Sequence, residues 1–165
     1  MNEIIKNVYF DEFYLTVIRI LKLIEIFETK EKYVLTQKKI VFFDFYLRFP
    51  AAATEQVITE DFDDKYSFYH WKPDYALYDA ALSLLYAKGL IEYASEEMNC
   101  YVITLRGKEV FQSLECEYMG QLTCAGNYII KVVSKWSDKK IDEDIVAKSF
   151  CLRKAGDSDN GQILY

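Results

Sequence analysis

The chain has 165 residues, 52% hydrophobic, 28% charged and 16% aromatic, with a formal charge of −6. That length and apolar content suffice for one globular domain with its own core. The acidic balance excludes non-specific attraction to nucleic acid, because neutralising phosphates requires surplus Lys and Arg. No apolar run reaches the roughly 20 residues that cross a bilayer.

Residues 10–28 read as a helix, with Phe13, Val17, Ile20, Leu21, Ile24 and Phe27 at helical spacing and Asp11, Arg19, Lys22 and Glu25 elsewhere. Ile18 and Leu23 widen the stripe, so cover on more than one side is expected. A charged break at residues 29–32 precedes a second helix over 36–47, with Thr36 as N-cap and Ile40, Phe43 and Leu47 on one face. Phe42, Phe45 and Tyr46 are more aromatic surface than one buried stripe uses. Pro50 ends that helix, since the residue before a proline is pushed out of the helical region. Residues 51–64 are an acidic insertion with Glu60, Asp61, Asp63 and Asp64 in close succession. Their spacing matches no calcium loop, and a solvated loop is the reading.

Tyr66, Phe68, Tyr69, His70, Trp71 and Tyr75 crowd six rings into ten residues. Pro73 and Asp74 then open a helix over 75–88, where a carboxylate suits the first-turn amides. Gly89 takes the left-handed position that closes it. Strands follow at 90–93 and 101–105, with Tyr101, Ile103 and Leu105 alternating inward. Helix, glycine turn and hairpin in that order predict a winged helix-turn-helix. In a DNA reader the 75–88 helix offers Arg, Lys, Asn or Gln to base edges. Here the outer candidates are Asp74, Asp79, Ser83 and Tyr86, with Lys88 basic at the far end, and the wing tip carries Glu96 and Glu97. Both elements that normally touch DNA are acidic.

A long helix is expected over 107–136, with Gly120 and Gly126 as weak points inside it. It has two open uses, dimerisation or packing on the 10–28 helix. A last helix spans 141–150. The fold class is therefore mainly α with a small β-hairpin wing and long N- and C-terminal helices. Residues 1–150 form one domain and 151–165 a mobile tail. The opening residues Met-Asn-Glu-Ile-Ile-Lys show no signal peptide, so a cytoplasmic location is expected.

Equipment for catalysis is not visible. Cys100, Cys116, Cys124 and Cys151 form no Cys-x-x-Cys pair and read as reduced thiols. His70 is the single histidine, too few nitrogen ligands for a usual zinc site. The six glycines have no phosphate-loop or dinucleotide spacing. A nucleophile and base would have to be built from His70 with Cys100 or a serine, and no motif supports that. The expectation is a non-enzyme with no catalytic residue, no cofactor and no metal.

Four stretches carry a resemblance to a known family: Tyr46-Leu-Arg-Phe-Pro50, Ser67-Phe-Tyr-His-Trp-Lys-Pro-Asp-Tyr75, Leu82-Ser-Leu-Leu-Tyr-Ala-Lys-Gly-Leu90, and Tyr101-Val-Ile-Thr104 with Gly107. Across residues 10–136 the chain resembles the middle component of bacterial ABC three-component systems, which include the small subunit of Lamassu-type defence complexes. The resemblance implies a non-catalytic accessory subunit in antiviral or plasmid defence. It would sit with an SMC-like ATPase, which senses DNA, and a nuclease-type effector subunit. DNA contact would be indirect or weak, and no membrane is involved. The contact candidates are Tyr46, Arg48, Tyr69, His70, Trp71, Lys72 and Tyr75, Trp and Arg being common interface anchors, and the open alternative is that these rings knit the insertion to the core. The alternative is a winged-helix repressor, dimerised through residues 107–136 and bound to promoter DNA.

Overall fold

The computed structural model describes residues 3–28, 35–50, 52, 71–95, 97, 100–114 and 116–159, with side chains described from 12 to 148 within those ranges. The acidic insertion lies outside the described residues except for Ala52. The chain is mainly helical, with one small antiparallel sheet.

Helix α1, Glu3–Glu28, is the axis of the packing. Six consecutive residues from Arg19 to Ile24 are buried, so this stretch is covered on every side. A helix with no solvent face has neighbours all round. These are α2 (Gln37–Arg48), α3 (Tyr75–Ala87), α4 (Leu105–Gln112), α5 (Glu117–Lys131) and strand β2 (Cys100–Ile103). Arg19 and Lys22, expected off the buried stripe, are inside it. Lys22 is accommodated because its ammonium lies over the Phe111 ring, with Nζ 4.8 Å from the centroid, while Nζ reaches Glu25 at 2.9 Å.

In α2, all eight residues from Ile40 to Leu47 are buried. The surplus aromatic surface of Phe42, Phe45 and Tyr46 is core, because α2 lies between α1, α5 and α6 (Asp138–Asp159). Phe43 stacks on Phe27 of α1 at 5.2 Å, and the Phe45 and Tyr46 rings meet edge to face at 5.2 Å. Thr36 caps the helix, its hydroxyl accepting from the Lys39 amide at 3.4 Å.

Asp74 caps α3 by accepting from the Leu77 amide at 3.1 Å. The buried positions Tyr78, Ala81, Leu82 and Leu85 keep helical spacing toward α1. Gly89 ends the helix at φ 65°, where a side chain would be strained. Strand β1, Ile91–Ser95, pairs antiparallel with β2, Ile91 facing Ile103 and Tyr93 facing Tyr101. An isolated antiparallel bridge joins Thr36 to Cys100 on the other side of β2.

Three expectations change here. Leu105 is 78% exposed, because Thr104 ends the strand by capping α4, its hydroxyl accepting from the Gly107 amide at 3.0 Å. The single helix expected over 107–136 is α4, α5 and a short 3-10 turn, Val133–Lys135. The break falls beside Ser113 rather than at a glycine. Its hydroxyl donates to the Val110 carbonyl at 2.6 Å, and Leu114 N closes a tight turn onto Phe111 O at 3.1 Å. The turn lets Phe111 and Leu122 both enter the core. The last helix begins at Asp138, where the Ser137 hydroxyl accepts from Lys140 N at 3.3 Å, and its backbone runs to Asp159, past the expected end at Phe150. No proline interrupts those residues.

Candidate partner-contact surface

The elements around the site are tied together by buried charge. Arg19 of α1 makes a bidentate pair with Asp44 of α2, Nε to Oδ1 at 2.7 Å and Nη2 to Oδ2 at 3.2 Å. The Tyr78 hydroxyl of α3 donates to the same Oδ2 at 2.7 Å. Arg19 also reaches Thr16 at 2.9 Å and Glu12 at 3.0 Å, and Arg48 holds Glu12 at 3.1 Å. One carboxylate with no exposure thus joins three helices, and this orients α3. A second junction holds α6: the Tyr46 hydroxyl donates to Asp144 Oδ2 at 2.7 Å, and Lys148 pairs with that oxygen at 2.8 Å. Burial, then these carboxylates, pushes the Tyr46 and Tyr78 hydroxyls far above the ordinary tyrosine pKa.

The expected contact residues separate. Tyr46 is 0% exposed, so it is a core residue and not a contact residue of this chain; α6 covers it. Arg48 is half-buried in its pair with Glu12, with its guanidinium 5.5 Å from the Phe49 ring. Trp71 is half-buried edge-on against Phe45, 5.0 Å between centroids. Both lean on the core. Lys72 and Tyr75 are exposed, and Tyr69 and His70 lie outside the described residues.

The exposed face of α3 lies beside the hairpin. Tyr75, Ala76, Asp79, Ala80, Ser83, Tyr86 and Ala87 face solvent, so the helix turns one carboxylate and no cation outward. Tyr86 meets Tyr93 of β1 at 5.1 Å, and Tyr93 meets Tyr101 of β2 at 5.0 Å. The three rings form a row across the corner. It exists because Tyr93 and Tyr101 are directly opposed in the ladder, on the same strand faces as core residues Ile91 and Ile103 but beyond the core's edge. Gln37 donates to Asp79 Oδ1. Burial, a hydroxyl bond with Tyr93 and the charge of Asp79 raise the Tyr101 pKa, keeping that phenol neutral. Glu97 is exposed in the hairpin turn.

The sequence reading missed this row. It placed Tyr86 outward and Tyr101 inward without joining them through Tyr93, although cross-strand alternation was the available signal. It also missed Asp44, for which an acidic residue inside a run of apolar ones was the cue. Among the described residues no group of three or more His, Cys, Asp or Glu is placed to hold a metal ion. No described helix is long and apolar enough to cross a membrane. The chain matches no protein-family model, no curated protein and no solved structure in the comparisons made.

Proposed function

We propose that this chain is a winged helix-turn-helix used as a non-catalytic docking subunit, binding protein rather than duplex DNA. The order α1, α2, α3, β1, β2 supports the winged-helix reading, as does the isolated Thr36–Cys100 bridge, which ties the start of α2 to β2. The observation that carries the docking reading is the outer face of α3: Tyr75, Asp79, Ser83 and Tyr86, without Arg or Lys until Lys88. A base-reading helix needs the opposite chemistry. Tyrosines that present large rigid area at little entropic cost suit a protein partner.

The resemblance makes the reading specific. It assigns the chain to the accessory position between an SMC-like ATPase and a nuclease-type effector in anti-phage or anti-plasmid immunity. Co-expression of the tagged chain with the products of its neighbouring reading frames tests this. Retention of a coiled-coil ATPase through size-exclusion chromatography is the expected result. A chain that elutes alone, and instead shifts promoter DNA with a steep salt dependence, makes the repressor reading the better one.

A further inference from the structure

The corner between α3 and the β1–β2 hairpin has a composition that the docking reading alone does not specify. Tyr86 and Tyr93 are 50% and 38% exposed, although each touches another ring. Their planes are inclined by 54°, and those of Tyr93 and Tyr101 by 35°, so neither pair stacks in parallel. Asp79 lies two turns before Tyr86 on the same face of α3, and its charge acts on the Tyr101 hydroxyl. Gln37 secures one oxygen of that carboxylate. Negative ring faces beside a fixed carboxylate suit a planar cation, which stacks on the rings and bonds to the acid.

We propose that this corner takes an arginine-bearing segment of a partner polypeptide, with the guanidinium on the Tyr86–Tyr93–Tyr101 row and its N–H groups on Asp79. The inference rests on the docking reading and names the surface and the partner chemistry. Charge complementarity selects the occupant: Asp74 and Asp79 are the only charges on α3 and its cap before Lys88, and the whole chain carries −6. Arginine fits better than lysine because its flat fork stacks and bonds at once. Duplex DNA is disfavoured by the same carboxylate.

Fluorescence anisotropy tests the site with a short fluorescein-labelled peptide of alternating arginine and glutamine, titrated with the full chain at physiological salt. The wild-type chain binds it, and the counterpart with glutamate for arginine does not bind. The Tyr86→Ala/Tyr93→Ala variant weakens binding about tenfold, and Asp79→Asn, which keeps the side chain's shape, weakens it several-fold. Tyr14→Ala, removing an exposed ring on α1, leaves it unchanged, and circular dichroism reports whether each variant is folded. No binding by the wild type overturns the proposal. So does binding that the ring and Asp79 variants leave intact, or that Tyr14→Ala weakens equally. Binding of duplex DNA, or self-association in sedimentation, that is lost in the ring variant also overturns it. Where the wild type and the ring variant retain the ATPase equally, docking stands and this corner is not its surface. Where the wild type retains nothing, the docking reading itself fails.

Discussion

Asp44 lies where Arg19, Tyr78 and the apolar residues of α2 leave its carboxylate no water. Its charge is tolerated because the guanidinium and a phenol satisfy both oxygens. Removing the acid takes from the buried Arg19 its bidentate partner and leaves it Thr16, Glu12 and Tyr118, so Asp44→Ala is expected to cost about 3–5 kcal/mol in urea denaturation. Replacing both partners, as Arg19→Met with Asp44→Leu, is expected to cost less than the single change, because no charge is then stranded. Tyr46 and Tyr78 report through pH. In the unfolded chain their hydroxyls ionise near pH 10, whereas in the fold burial, with Asp144 and Asp44, holds the protons well above that. Above pH 10 the folded state therefore binds more protons than the unfolded one. This contribution is full below pH 10 and falls by about 1.4 kcal/mol per further pH unit for each tyrosine. Melts on either side of pH 10 should show the loss, and Tyr46→Phe with Tyr78→Phe should flatten it.

Helix α5 carries two glycines with different surroundings. Gly120 is exposed with open space where a Cβ would stand, whereas a Cβ on Gly126 would meet Ile26 of α1. Gly120→Ala is therefore expected to stabilise the chain by about 0.5–1 kcal/mol through helix propensity. Gly126→Val is expected to destabilise it by about 1–3 kcal/mol, since the added methyl groups force two packed helices apart. Thermal melting of the two variants should show shifts of opposite sign. Helix α6 is held differently, by Ile141 and Ile145 in the core and by the Tyr46–Asp144–Lys148 contacts. Asp144→Ala should raise amide hydrogen exchange along α6 while leaving α3 protected, because the lost contacts do not reach α3.

Over the whole molecule the charge is negative, and it is negative too in the segment that holds α3 and the hairpin. The chain carries −6, and residues 75–107, which hold α3 and the hairpin, carry −2. A duplex approaching that side meets carboxylates and rings. Gel-shift titration at physiological salt is expected to give no discrete complex with the isolated chain. Binding that weakens steeply with added salt would mark a basic patch elsewhere as the working surface. Lys38 is not an uncommitted part of such a patch, since it pairs with Asp138 at 3.3 Å.

The helical starts were legible from the chain because they are local. Thr36 and Asp74 cap the residues that follow them, and Gly89 takes a backbone angle that other residues resist. The hairpin and the acid-for-base exchange on α3 were legible for the same reason. The break at Ser113 was not, because apolar spacing continues through it, and the turn follows from where Phe111 and Leu122 must go in the assembled core. Nor was the role of Tyr46, a surface tyrosine by residue type until α6 covers it. The Arg19–Asp44 pair and the Tyr86–Tyr93–Tyr101 row join residues distant in the chain or on different elements. Caps, turns and periodicity act over a few residues and are written in the sequence, whereas which charge is buried and which rings share a corner is decided when the helices pack.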